Sequence, residues 1–218
     1  ISNYVSYELG QPTHCFDLNS IKNTLILENR ICNEPFKTLQ GVDINLTDEN
    51  CIFSVDNEIV SLAGVMGGLS TACSKNTKKA LIECAFFKPE AIIGKSIKYN
   101  IVSDAAHKFE RGVDLKSQEE VLRRFIEIVR DHTTIKNLRI QSFEDEIFKK
   151  VSIPIDVNKI NEILGTHLEE KDYLMYLNKL GFDIKNEIFV PSHRNDISTQ
   201  NDLAEEIARL IGYDNIKS

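Results

Sequence analysis

From Thr24 to about Asp56, short apolar stretches such as Thr24-Leu25-Ile26-Leu27 and Cys51-Ile52-Phe53-Ser54-Val55 alternate with turn residues at Asn33-Glu34-Pro35 and Gln40-Gly41. That is the spacing of strands and hairpins, so this part is expected to be sheet. Ile59–Ala63 then runs into Gly64-Val65-Met66-Gly67-Gly68, where the backbone must turn tightly or approach something closely. Ala80–Phe87 reads as a buried strand with one carboxylate, Glu83, inside it. Pro89 suits a first helical turn, and a helix is predicted from there to about Tyr99. Ser117-Gln118-Glu119-Glu120 fits a capping box, and Val121, Leu122, Phe125, Ile126, Ile128 and Val129 follow at helical spacing. This predicts a helix over about 118–131.

The acidic stretch Ser142–Lys150 separates that region from a differently patterned tail, which sets a domain boundary at 148/149. In the tail, Val157–Leu164 and Tyr173–Leu180 each end on a glycine, as short helices do. Phe182–Ile184 and Ile188–Val190 flank Lys185-Asn186-Glu187 as a hairpin, and a last helix is predicted from about Gln200 to Ile211. The expected architecture is therefore an α/β (α+β) domain with a mixed sheet over 1–148, followed by a small winged-helix-like α+β module over 149–218.

A chain of 218 residues with 42% hydrophobic composition can bury a core in each of two such domains. No apolar run approaches the ~20 residues of a membrane span, and the first residues lack a signal-peptide layout, so a soluble, cytoplasmic protein is expected. The five cysteines are odd in number, widely spaced and without a C-x-x-C pair, as reduced structural thiols would be. Ile1 is not an initiator, and the chain is expected to be an internal segment of a longer protein. The formal net charge of -7 argues against strong non-specific nucleic-acid binding. It hides a contrast: residues 88–139 hold 11 Lys/Arg against 8 Asp/Glu, and residues 151–218 hold 7 against 12.

Spacing alone leaves the candidate chemical groups open. Glu83 in an apolar strand fits an edge glutamate in a salt bridge, and it also fits a buried acceptor. His14 follows Pro12-Thr13, so a turn presents it; a hydrogen-bonded structural histidine is the plain alternative. Gly64, Gly67 and Gly68 either turn the chain or bring backbone N–H groups to a ligand, but no Lys-Ser/Thr follows to make a phosphate loop. Lys108 and Arg111 lie in the basic region and suit RNA phosphates, or, for Arg111, an ion pair with Glu110 or Asp114. Asp202, Glu205 and Glu206 crowd one side of the last helix with Asp196 just upstream. A hard divalent cation would relieve their repulsion; solvated acids near a helix N-terminus are the alternative. No Ser-His-Asp or Cys-His arrangement can be assembled, so no covalent acyl-enzyme is expected.

Several phrases in order resemble the bacterial-type phenylalanyl-tRNA synthetase beta subunit: Glu8–Asp17 (ELGQPTHCFD), Ala63–Gly68 (AGVMGG), Ile82–Phe87 (IECAFF) and Ser103–Asp114 (SDAAHKFERGVD). In the tail, Leu180-Gly181-Phe182, Val190–Ile197 (VPSHRNDI) and Asp202–Arg209 (DLAEEIAR) continue the likeness, which covers nearly the whole chain. The resemblance implies an editing domain that hydrolyses tyrosine wrongly attached to tRNA(Phe). It implies Glu83 as reader of the tyrosine hydroxyl, and His14 orienting the terminal adenosine or the attacking water. Ser103, usually threonine in the family, and Ala105 would line the pocket, with Gly64, Gly67 and Gly68 as substrate-binding backbone. It further implies that Asp196, Asp202, Glu205 and Glu206 hold Mg2+ shared with an alpha subunit, in an alpha2beta2 heterotetramer that charges tRNA(Phe). ATP would be used by that full enzyme and not bound by this segment. The rival expectation is a non-catalytic nucleic-acid-binding or assembly module acting through its winged-helix-like tail, whose acidic balance suits a phosphate backbone poorly.

Overall fold

Residues 1–143 and 150–216 are described by the computed structural model, and they divide into two units, Ile1–Arg139 and Ile140–Ser218. The expected boundary at 148/149 lies outside the described residues.

The first unit opens with helix α1 (Ser2–Leu9), closed by Gly10 at φ 76°, and strand β1 (His14–Asp17). A long hairpin follows, β2 (Ile26–Lys37) and β3 (Asp43–Val55), turning at Gly41. β4 (Glu58–Leu62) joins β3 through Asp56 and Asn57, both at positive φ, the paired left-handed conformation that a two-residue hairpin turn requires. β5 (Met66–Gly67) completes a four-stranded sheet of order β2-β3-β4-β5. β6 (Ala80–Glu83) pairs separately with β1. Helices α2 (Pro89–Ile92), α3 (Lys95–Lys98), α4 (Asp104–Glu110) and α5 (Gln118–His132) end the unit.

One core gathers Phe16, Phe36, Leu46, Ile52, Phe53, Leu62, Phe87, Ile92 and Phe109. Its rings meet edge to face in a chain, Phe16 to Phe53 at 5.8 Å, Phe53 to Phe87 at 6.3 Å and Phe87 to Phe109 at 5.0 Å between centroids. A second cluster, Val5, Val121, Phe125 and Ile128, joins α1 to α5 and takes in Cys15, Ile82 and Cys84. The β1–β6 ladder is therefore covered on both faces. Residues opposite one another share a face, so His14, Phe16, Leu81 and Glu83 look one way while Cys15 and Ile82 look toward α1 and α5.

The second unit runs β7 (Ser152–Pro154), α6 (Val157–Leu164), α7 (Glu170–Lys179), β8 (Asp183–Ile184), β9 (Glu187–Phe189) and α8 (Gln200–Ile211). Its sheet has the order β7-β9-β8, and its core is built on Ile160, Tyr173, Leu177, Ile188, Leu203 and Ile207. Asp156 caps α6 through Lys159 N–H, and Gly165 closes it at φ 65°. The protein is thus mixed α+β, and every ladder among the described strands is antiparallel.

The structure amends several expected elements. Pro35 sits inside β2, opposite Asn45, rather than in a turn; β2 is the outermost strand, where a missing N–H costs no ladder bond. Gly94, at φ 77°, splits the helix expected over 89–99 into α2 and α3. Ser117 forms no capping box, because it is itself helical (φ −84°, ψ −14°) and donates its hydroxyl back to the Asp114 carbonyl at 2.9 Å. β7 is a strand that the hydrophobic pattern did not reveal, since three residues ending on a proline carry no period. No helix among the described residues is long and apolar enough to cross a membrane, and all five cysteines are free thiols.

Leu46, fully buried on β3, tests the larger core. Leu46→Ala is expected to destabilise the first unit by ~2–5 kcal/mol, read as a lower denaturant midpoint at unchanged slope.

Candidate functional site

Four separate stretches of sequence bring the candidates of the first unit together around the segment 64–68. His14 and Glu83 are direct partners in the β1–β6 ladder, on the same face. The imidazole lies against residue 67 so closely that a Cβ there would sit 2.2 Å from Cε1 and 2.7 Å from Nε2. Only glycine leaves that space. Gly64, at φ 69°, turns the chain beneath Phe87 and Ile92, and Gly68 donates its N–H to the Val60 carbonyl at 2.8 Å. On the other side of the segment, Ser103 caps α4 by accepting Ala106 N–H at 3.1 Å and donates its hydroxyl to the Val65 carbonyl at 2.5 Å. Ala105 packs half-buried against the same core.

The electrostatics of the pair are unusual. Burial pushes the Glu83 carboxyl up to about 7, opposed by one hydrogen bond from Ala85 N–H to Oε1 at 2.9 Å. That bond also explains why β6 stops at Glu83: the next residues turn onto the carboxylate instead of continuing the strand expected to run to Phe87. Burial also lowers His14 below its ordinary value, so the ring is neutral at pH 7. Its Nε2 is buried and meets no partner among the described residues, while its ring stands edge-on to Phe16 at 4.4 Å. A neutral imidazole with a free nitrogen, opposite a carboxyl that titrates near neutrality, can accept or donate one proton or hold one water.

Two basic residues make bonds within the fold. Lys108 reaches α1, donating to the Ser6 carbonyl and, at 2.9 Å, to its hydroxyl. Arg111 turns back on its own helix to the His107 carbonyl and Nδ1, both at 3.0 Å.

In the second unit two arginines link three of the four acidic candidates, and the fourth, Asp202, is engaged apart from them. Arg194 grips Asp196 through two bonds of 2.9 and 2.7 Å and reaches Glu206 at 2.8 Å. Arg209 bonds Glu206 at 2.9 Å and Glu205 at 2.7 Å. Asp202 forms a capping box with Thr199, accepting its N–H at 2.8 Å and that of Ser198 at 2.9 Å. These bonds hold all three of Asp196, Asp202 and Glu206 below the usual carboxylate range, with Arg194 the leading cause for Asp196 and Glu206, and Ser198 N–H for Asp202. Among the described residues no three His, Cys, Asp or Glu side chains converge as ion ligands. As placed, the donor set does not fit a divalent ion within this chain alone. The part played by Arg194 and Arg209 was missed in the sequence, although Arg209 stands at three and four residues from the acids, a spacing that marks helical ion pairs.

Because Glu83 titrates higher in the fold than at its ordinary 4.5, the folded state holds an extra proton between those values and loses stability as pH rises through about 7. Carrying the charge costs on the order of 3 kcal/mol above that pH. Glu83→Gln is therefore expected to match the parent near pH 4.5 and to exceed it in unfolding free energy at pH 8. Equal stability at both values would show a solvated carboxylate.

The B3/4 domain family matches residues 1–134, and the tRNA synthetase B5 domain family matches residues 153–213. The phenylalanine–tRNA ligase beta subunit of Burkholderia lata is 34% identical over 99% of the chain, and that of Burkholderia pseudomallei strain 1710b is 35% identical over 99%. The same subunit of Psychrobacter arcticus is 32% identical over the full chain. The chain spans 27 to 28% of the length of these curated relatives. A crystal structure of an N-terminal fragment of the phenylalanyl-tRNA synthetase beta subunit from Pyrococcus horikoshii is similar over 98% of this chain and 64% of its own, at 13% identity and a TM-score of 0.43. By its matched domains, their order and these relatives, the chain belongs to the B3/4 domain family, followed by a B5 domain as in the phenylalanine–tRNA ligase beta subunit.

Proposed function

We propose that the first unit is the editing site of a phenylalanine–tRNA ligase and hydrolyses the ester of tyrosyl-tRNA(Phe). The observation that carries this is the placing of His14 and Glu83 as ladder partners on one face, with residue 67 open for the imidazole. The need for such a site is physical. A hydrophobic pocket rejects an isostere with one added hydroxyl by only about a hundredfold, so a second site that reads the hydroxyl is required for accuracy. Glu83, once ionised, accepts the tyrosine hydroxyl, and phenylalanine would leave that acceptor buried and unpaired. His14, neutral and with Nε2 free, orients the attacking water or the terminal adenosine. An aminoacyl ester is labile, so holding water and ester in line, with a ribose hydroxyl of the tRNA at hand, supplies the rate without a covalent intermediate.

The larger enzyme that charges tRNA(Phe), with ATP used on an alpha subunit in a cytoplasmic alpha2beta2 assembly, belongs to the same proposal. Magnesium enters at the level of that assembly. Arg194 already neutralises Asp196 and Glu206, and Asp202 is committed to its capping box, so the chain alone is expected to bind the ion weakly.

Two measurements test these readings. In the complete beta subunit with its alpha partner, Glu83→Ala is expected to slow tyrosine release from mischarged tRNA by ~10–100-fold, while hydrolysis of correctly charged tRNA holds or rises. A structural Glu83 would depress both rates together and leave their ratio unchanged. In the isolated chain, Asp202→Ala is expected to cost about 1 kcal/mol for the lost cap, equally with and without magnesium. A cost that appears only with magnesium would make Asp202 an ion ligand in the chain itself.

A further inference from the structure

Gln11, in the link between α1 and β1, is a long polar side chain only 1% exposed. Its Nε2 donates to the Ala85 carbonyl at 2.9 Å and to the Pro12 carbonyl at 3.0 Å. Two carbonyl acceptors fix the orientation of the amide, since the flipped form would set oxygen against oxygen. Ala85 in turn donates its N–H to Glu83 Oε1. Ala85 is thus held on one side by Gln11 and on the other by Glu83, at the point where β6 has ended and no ladder bond steadies the chain. The other end of the amide is costly to the fold: Gln11 Oε1 is buried without a partner among the described residues. An apolar side chain of similar length would fill the space without that penalty but would leave the Ala85 and Pro12 carbonyls without this donor, so the glutamine is accounted for by the bonds it makes and not by packing.

We propose that Gln11 is the positioning residue of the Glu83 carboxylate: it clamps Ala85 so that the Ala85 N–H stays aimed at Oε1 and the other carboxylate oxygen is presented to the substrate hydroxyl. This rests on the reading of Glu83 as the hydroxyl acceptor. It adds to that reading a residue that touches no substrate yet sets how well tyrosine is told from phenylalanine.

Gln11→Met removes the clamp at nearly constant volume, and Gln11→Asn keeps the amide but is one methylene too short to reach both carbonyls. Without the clamp, the Ala85 bond that favours the ionised form of Glu83 is lost, and the carboxyl titrates at higher pH. The titratable groups around it are His14 and Cys15 on β1, Cys51 on β3 and Cys84 beside it. Burial holds the three thiols above their ordinary values and His14 below its own, so His14 is the neighbour whose ring signals are followed alongside the Glu83 carboxyl.

The expected result in the complete alpha–beta enzyme is a roughly tenfold lower ratio of tyrosine to phenylalanine release at pH 7, regained at higher pH, in a Gln11→Met variant that remains folded. Carboxyl carbon NMR on this chain gives the second readout, a Glu83 titration midpoint above that of the parent in both variants. If the parent enzyme releases no tyrosine, the editing reading falls, and the NMR midpoint still decides the role of Gln11. A midpoint and a pH profile that stay at the parental values in a folded variant overturn the inference. Should Gln11→Met not fold, Gln11→Asn is scored by the same two measurements.

Discussion

The imidazole of His14 occupies the space that a side chain at position 67 would fill, with its Cε1 2.2 Å from where that Cβ would stand. Much of the first unit follows from keeping this approach. The glycine segment must come in beneath β1, so β4 ends, the chain turns at Gly64, and β5 returns for only two residues. Ser103 holds the segment from the far side through the Val65 carbonyl, which ties the start of α4 to it. The edge-to-face chain from His14 through Phe16, Phe53 and Phe87 to Phe109 then fixes the ring side of the contact against the larger core. A two-stranded ladder by itself is marginal. Here it is held between that core and the α1–α5 cluster, and the register His14 to Glu83 is what both coverings protect.

That register sets two groups opposite one another, each burdened by burial. Buried polar atoms without partners among the described residues collect at the start of the ladder and just before it: Gln11 Oε1, Thr13 Oγ1 and His14 Nε2. Folding alone would not choose this, because each such atom lowers stability. The first unit offsets the loss with a large apolar core, in which Phe16, Leu46 and Ile52 are fully buried.

Much of this was legible in the sequence where a residue type has one physical use. Gly165 as a helix stop, the 118–131 helix and the last helix to Ile211 fell where the apolar period and the glycines put them. Glu83 stood out because a carboxylate inside an apolar run must be explained. The failures share a cause. The turn read at Pro35, the continuous helix over Gly94 and the capping box at Ser117 all used local propensity, and tertiary position decided each one. The pairing of His14 with Glu83 could not be read at all, since a contact between residues 69 positions apart is set by register and not by spacing. Nor could the room at Gly67 be told from an ordinary turn glycine. The arginines beside the acidic helix were visible as letters, yet their bonds to Asp196, Glu205 and Glu206 were not read from them.

The two units set carboxylates in opposite surroundings. Glu206 is as buried as a core residue, at 4% exposure, yet two guanidinium groups keep it ionised below its ordinary range. Both guanidinium groups bond the same oxygen, Oε1. A ligand at that oxygen would displace an arginine, and breaking a buried pair is costly. Glu83 has a single backbone donor, and burial drives it toward the neutral form. On the proposed reading, its charge gains most from one further hydroxyl donor. The same side chain is thus held charged in α8 and driven toward the neutral form at the end of β6, and the cause lies in what stands beside it: arginines in one case, and in the other a single N–H, from an Ala85 whose carbonyl Gln11 holds.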